Sequence, residues 1–254
     1  MLTYPGTIAL SERTLGFLAE VLQAHRERLG TWRKLSAQEQ ALLVLAHLRN
    51  GDTYQRLATG FGVGLATAHR YIREAVAVLA GLGRSLTAAM WALAWTASNF
   101  ALLDGTVVRT NRIRAYDRLY YSGQHKHHGV NLQGLTDPYG RLIWISDGLP
   151  GSTHDLSAAR THGVFAVADL AQLYLYADKG YIGGDGLTLL TPYKGRNLAN
   201  SYRDANRCHA AIRAHGERGF AVLKNWKVFD RFRGCPRHIG TFARAVLTLE
   251  QYPK

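Results

Sequence analysis

The chain changes its hydrophobic rhythm once. Up to about Ala80 the apolar residues recur at a spacing near 3.6, the repeat of helices with one buried face. Beyond Asn99, short β-branched or aromatic runs alternate with glycine-rich turns, as strands do. Ser36 followed by Glu39 forms a capping box that opens an apolar-rich helix ending near Arg49-Asn-Gly-Asp52. Asp52 or Thr53 caps a short helix, Tyr54 to Thr59, with Leu57 and Ala58 facing in. Gly60-Phe-Gly-Val-Gly64 supplies a tight turn, and a third helix follows with Ala68, Ile72, Ala75, Val76 and Leu79 in one stripe.

The outer face of that third helix carries Thr67, His69, Arg70 and Arg73. A short helix, a tight turn and a helix with a basic outer face read as a helix-turn-helix, whose second helix enters the DNA major groove. The competing reading is a plain three-helix bundle with a solvated polar face. Gly64 is a weaker cap than Ser or Thr would be.

Between Arg84 and Asp104, 19 successive positions carry no charge. Ser85, Thr87, Thr96, Ser98 and Asn99 interrupt that run, so a buried helix (Leu86 to Trp95) leading into a buried strand (Phe100 to Leu103) fits better than a membrane span. Met1 to Pro5 lacks the basic and apolar regions of a signal peptide. The expectation is a soluble cytoplasmic protein without a membrane partner.

Charge narrows the partners. The 254 residues hold 31 Lys+Arg against 18 Asp+Glu, a formal +13, and 47% are hydrophobic, enough for a sizeable core. Such an excess points to a polyanion. With two cysteines, Cys208 and Cys235, no disulfide framework is expected, and their spacing with His209 and His238 does not suit zinc.

Acids are scarce, and three are oddly placed. Asp104 interrupts the apolar run Phe100 to Val108, Asp178 ends the strand-like Leu173-Tyr-Leu-Tyr-Ala, and Glu217 flanks the stripe Cys208, Ile212, Phe220 and Leu223 of a helical run from about Ala205 to Trp226. Buried carboxylates are normally paired, bound to a cation or catalytic. Each of the three has a plainer reading: Asp104 as a residue capping or bonding a turn with Gly105, Asp178 as a partner of Lys179 or a neighbouring Arg, and Glu217 as an i,i−4 partner of Arg213 on an exposed face. Two or three acids converging from strand, strand and helix suit Mg2+ or Mn2+, and two such ions suit phosphodiester chemistry.

Four pieces in this order resemble the DDE-superfamily transposases, in their bacterial insertion-sequence and Harbinger-like branch. They are Leu103-Asp104-Gly-Thr, Gly151-Ser-Thr-His-Asp155, Ala177-Asp178-Lys-Gly-Tyr181 and Arg213-x-x-x-Glu217-x-x-Phe-x-x-Leu-Lys224-x-Trp226. Asp178 follows Asp104 by 74 residues and Glu217 follows Asp178 by 39, and a helix-turn-helix precedes them. The resemblance implies an α/β fold: a ribonuclease-H-like mixed sheet flanked by helices, after an all-α helix-turn-helix domain. It implies that Asp104, Asp178 and Glu217 are catalytic and, with Asp155, hold a divalent metal, Mg2+ or Mn2+ and two ions by family chemistry. Asp155 reads as well as the N-cap of Leu156 to Arg160. The implied enzyme is a metal-dependent DNA endonuclease and strand transferase acting on double-stranded DNA, both transposon ends and target, as a homo-oligomer in the bacterial nucleoid. A decayed relative that only binds DNA and a nuclease that cuts without joining are the alternatives.

From Tyr193 to Arg237 there are 11 Lys+Arg and 3 acids, interleaved with Tyr202, Phe220, Trp226, Phe229 and Phe232. Such a stretch suits a phosphate-tracking groove with stacking platforms. The aromatic residues, Phe220 and Trp226 above all, read also as core. A basic strand from Tyr121 to Val130 would set His125 and His127 opposite Lys126 and His128. The expected DNA contacts are Thr67, His69, Arg70, Arg73, Lys126, His128, Lys179, Arg213, Lys224 and Lys227. Thr106 and Lys179, beside the aspartates, are either contacts or scaffold. The expected divisions are a helical extension (1–34), the helix-turn-helix (35–80), a connector helix (81–98) and the catalytic domain (99–254).

Overall fold

The computed structural model describes residues 8–112 and 114–252, and at Glu217 the backbone alone. The chain folds as two compact units.

The first unit is helical. It comprises α1 (Glu12–Leu29), α2 (Ala37–Asn50), α3 (Tyr54–Gly60) and α4 (Leu65–Leu82). The capping box at α2 is present: Ser36 Oγ accepts from the Glu39 amide, and Glu39 accepts from the Ser36 amide. Thr53 caps α3, while Gly64 gives α4 no side-chain cap. Leu57, Ala58, Ala68, Ile72, Ala75, Val76 and Leu79 are all buried, as the periodicity requires. Glu74 of α4 takes hydrogen bonds from Arg33 (2.6 Å) and Gln40 of α2 (3.1 Å), which ties α4 to the chain entering α2.

Leu223–Arg231 and the described residues from Thr241 on also belong to this unit, although the sequence division places them in the catalytic domain. Trp226 is fully buried there and donates its indole N–H to Glu250 (2.9 Å), while the Thr248 hydroxyl donates to the Leu79 carbonyl (3.0 Å).

The second unit is a sheet with helices on both faces. After α5 (Leu86–Ala94) come β1 (Phe100–Arg109), α6 (Asp117–Tyr120), β2 (Tyr121–Ser122), β3 (His127–Thr136), β4 (Leu142–Ile145) and β5 (Leu149–Pro150). Then follow α7 (Asp155–Thr161), α8 (Val164–Leu170), β6 (Tyr174–Tyr176), β7 (Leu189–Leu190), α9 (Asn200–Arg213) and the start of α10 (Ala221–Lys224). The last helix, α11 (Ile239–Gln251), belongs from Thr241 on to the first unit. The strand order is β2-β3-β1-β6-β7, with β4 and β5 also paired to β3. β1 runs antiparallel to β3 and parallel to β6, so the sheet is mixed.

The apolar stretch Leu65–Ala94 is long and apolar enough by composition to cross a membrane. Gly83 and Ser85, both extended, divide it between α4 and α5. Ala89, Met90 and Leu93 are buried against Ala101 and Leu103 of β1, Leu175 of β6 and Phe165 of α8. Burial accounts for only part of the uncharged run from 85 to 103. Ala89, Met90, Leu93 and Ala101 to Leu103 are buried, while the other face of α5 and the turn after it are exposed, Trp91 and Trp95 included. The helix expected to be buried is only half so.

Candidate active site

Period-2 alternation gives the two faces of β1 different work. Ala101 and Leu103 enter the core beneath α5, α7 and α8. The other face carries Phe100, Leu102 and Asp104. There the Phe100 ring meets Tyr176 of β6, and Tyr176 meets His209 of α9. Leu102 pairs with Tyr176 where the parallel ladder ends, so Asp104 stands two residues further along β1 and Asp178 two residues past the end of β6, close enough for its charge to act on Asp104. This register brings together acids separated by 74 residues of sequence.

Asp104 is only 35% exposed, with a guanidinium nitrogen of Arg213 3.7 Å away. Burial pushes its pKa up to about 6; Arg213 and the Gly105 amide oppose the rise, and the charges of Asp178 and Asp155 add to it. Asp178 accepts from the Gly180 amide (2.7 Å) at the turn that follows β6.

The helical run expected from Ala205 to Trp226 is broken. α9 ends at Arg213, a 3-10 turn spans Gly216–Arg218, and α10 follows. The cause is close approach to the sheet: a β-carbon on Gly216 would lie 3.0 Å from a Leu102 methyl carbon, and one on Gly219 would collide with Thr136. The turn bearing Glu217 thus packs on the Asp104 face of β1, while the Glu217 side chain lies outside the described atoms. Cys208, expected in the core stripe, is exposed; its neighbour His209 is buried and meets the Leu190 carbonyl (3.1 Å).

Asp155 is the first residue of α7 and not its N-cap, a position held by His154 without a side-chain cap bond, so the capping reading of Asp155 is not met. Its Oδ1 accepts from Asn131 (2.7 Å) and Gln133 (3.0 Å) of β3. Gly105 pairs with Gln133 in the ladder, and Asp155 rests against the space where a side chain at 105 would be. Asp155 therefore approaches β1 from the face opposite Asp104. A cleft of about 580 Å3 adjoins it, lined among others by Gly105, Ser122, His125, Thr153, Asp155 and Asp178.

Gly105, Asn131, Gln133 and Tyr181 join the site without having been expected there from the sequence. A signal was available: Asn131 and Gln133 are polar residues two apart among Val130, Leu132 and Leu135, hence on one buried face of β3.

Among the described residues no three His, Cys, Asp or Glu side chains are grouped closely enough to hold a metal ion. The donors that do converge are carboxylate oxygens, the chemistry of a hard divalent cation. Asp104, a crowded acid whose pKa burial and like charge push up, is a group whose ionisation a cation would favour. The donor chemistry fits Mg2+ or Mn2+.

The expected DNA contacts are distributed between the units. His69 and Arg70 of α4 are exposed, Thr67 and Arg73 half-buried, and the His69 ring meets Tyr54 edge-on at 5.1 Å. Lys224 and Lys227 are exposed on the helical unit, with Lys227 against Gly51 at the end of α2. In the sheet unit Lys179 is exposed, Arg213 faces Asp104, and His128 meets Asp117 (2.8 Å). The expected strand Tyr121 to Val130 is a hairpin: β2 and β3 join through a turn in which Lys126 takes a left-handed conformation, so strict alternation stops there. Of the aromatics interleaved with the basic stretch, Phe220, Trp226, Phe229 and Phe232 are core, and Tyr202 is exposed beside Tyr193 (4.5 Å).

Comparison with known proteins shows the family. Residues 103–251 match the model of the DDE superfamily endonuclease, and residues 33–85 that of the helix-turn-helix of DDE superfamily endonuclease. The chain belongs to the DDE superfamily of endonucleases with an N-terminal helix-turn-helix. It is 30% identical over 227 residues, 86% of this chain and 82% of the relative, to the "Putative transposase for insertion sequence element IS112" of Streptomyces albus G. It is 24% identical over 255 residues, 96% of this chain and 91% of the relative, to the "Probable transposase for insertion sequence element IS702" of Microchaete diplosiphon. No solved structure matches.

Proposed function

We propose that the chain is a DNA transposase of an insertion sequence, cutting the element's ends and joining them to target DNA by phosphoryl transfer. The register that aligns Asp104 with Asp178 carries this reading. Asp104 and Asp178 would hold the metal, with Glu217 and Asp155 as the further acids. Mg2+ or Mn2+ bound there would lower the pKa of an attacking water, or of a 3′-hydroxyl, and stabilise the leaving oxygen.

The chain's own groups do the rest. Arg213 partly neutralises Asp104 and stands where a phosphate would approach the acids. Gly180 holds Asp178 through its amide. The α4 face (Thr67, His69, Arg70 and Arg73) would read the terminal DNA, with Lys224 and Lys227 as phosphate contacts on the same unit. Lys126, His128 and Lys179 would serve DNA lying against the sheet unit. End recognition falls to residues 35–80 and chemistry to the sheet from residue 99 on, in a homo-oligomer that brings two ends together in the nucleoid.

The experiment incubates the full chain with Mg2+, labelled terminal DNA of the element and a supercoiled target. Label transferred into the target supports a transposase. Cleavage without transfer would reduce the function to a nuclease, and specific binding without cleavage to a DNA-binding relative.

A further inference from the structure

Asp155 is held by a buried hydrogen-bond chain with a single direction. Tyr181, fully buried, donates its hydroxyl to Gln133 Oε1 (2.5 Å). With that oxygen committed, the Gln133 Nε2 hydrogens go to Asn131 Oδ1 (2.9 Å) and Asp155 Oδ1 (3.0 Å). Asn131 Nδ2 in turn donates to the Thr153 carbonyl (3.0 Å) and to the same Asp155 oxygen (2.7 Å). Gln133 is 0% and Asn131 3% exposed, so water does not compete for these bonds.

Both amide orientations are thereby fixed by acceptors, Asn131 by the Thr153 carbonyl and Gln133 by Asn131 Oδ1 and the Asp155 carboxylate, which leaves Gln133 Oε1 to take the Tyr181 hydroxyl. All donors converge on Oδ1 of Asp155. Its second oxygen is left toward Gly180, 3.9 Å from where a β-carbon there would lie, beside the turn that holds Asp178. Tyr181 belongs to that turn, Gln133 to β3 and Asp155 to α7, so one glutamine ties together the elements carrying two of the acids.

We propose that Gln133, locked by Tyr181 and supported by Asn131, is the positioning residue that presents the free oxygen of Asp155 to the divalent cation. This rests on the reading of Asp155 as a metal-holding acid. Losing a hydrogen-bond partner of a metal-holding carboxylate lowers metal affinity by about 10–100-fold. Without the phenol Gln133 Oε1 loses its buried donor, and the amide that holds Asp155 is no longer anchored from its far side.

The test measures Mn2+ binding to the full chain without DNA by electron paramagnetic resonance, alongside the Mn2+ concentration for half-maximal cleavage and the Tm. Tyr181→Phe is expected to weaken Mn2+ binding by about 10-fold or more and to raise the Mn2+ requirement in parallel, with cleavage recovered at high Mn2+. Gln133→Met, which removes the donor without adding charge, should weaken it at least as much. Asn131→Ser tests the other arm should Tyr181→Phe fail to fold. If Asp155→Asn loses Mn2+ while Tyr181→Phe and Asn131→Ser bind it as the wild type does, the positioning role is overturned and Asp155 remains a ligand. If Asp155→Asn binds Mn2+ unchanged, the ligand reading falls and the proposal with it. A lowered Tm with unchanged Mn2+ affinity also overturns it, by reducing the chain to scaffold.

Discussion

Gly105 of β1 and Asp155 of α7 occupy one space: a β-carbon at position 105 would lie 2.7 Å from the Asp155 carboxyl carbon. It would also lie 2.9 Å from Gln133 Nε2. The residue after Asp104 must be glycine for Asp155 to reach the sheet. Gly105→Ala is therefore expected to cost about 1–3 kcal/mol of stability through overpacking and to lose most cleavage. Urea denaturation and a cleavage assay check it, and full activity in the alanine variant would show that Asp155 need not sit against β1.

The raised pKa of Asp104 gives a pH dependence of known sign. Its value of about 6, against 3.8 when unperturbed, means that the folded state binds the proton more tightly than the unfolded chain. Stability therefore falls as pH rises from about 4 to about 6, and the penalty persists above. In metal-free protein Asp104→Asn should be more stable than wild type at pH 7.5, with the difference fading toward pH 4. Equal differences at both pH values would contradict the assignment.

Glu74 behaves in the opposite sense. Burial alone would raise its pKa, but the hydrogen bonds from Arg33 and Gln40 outweigh it and bring the value below 4.5. The stabilisation is complete above pH 4.5 and is lost as pH falls through the lower folded-state value. Glu74→Gln should cost about 2 kcal/mol at pH 7, less in acid, by denaturation monitored through the helical unit.

Binding to terminal DNA should depend steeply on salt. Arg70→Ala and Arg73→Ala are expected to weaken it, and removing one cation that pairs with a phosphate should flatten the log–log salt slope by about 1. Lys227→Ala should do the same, since Lys227 packs at Gly51 within the helical unit. Fluorescence anisotropy at several salt concentrations measures this, and a Lys227→Ala chain that binds ends normally but fails to cut would assign that lysine to the chemistry instead.

Local features were legible in the sequence because they rest on short-range chemistry. Ser36 and Glu39 form their capping box, the α4 stripe is buried, and the β1 strand appears where the uncharged run ends. The register of Asp104 with Asp178 was not legible from the residues alone, because a parallel ladder is fixed by crossovers rather than by neighbours. Helical spacing failed at 214–220, where sheet contact with Gly216 and Gly219 overrides it, and at Cys208, where α9 buries His209 instead. The chain Tyr181–Gln133–Asn131–Asp155 joins residues from three separate elements, and no linear pattern marks such a juxtaposition. Charge counted along the chain likewise merged Lys224 and Lys227 with Arg213, although they belong to different units.

The most direct test of the central claim is Mg2+-dependent cleavage of the element's own terminal DNA by wild type, Asp104→Ala, Asp178→Ala and Glu217→Ala, with DNA binding measured on the same samples. Cleavage by the wild type alone, with binding retained in all three variants, is the predicted result. Cutting at the wild-type rate by the variants would contradict the account.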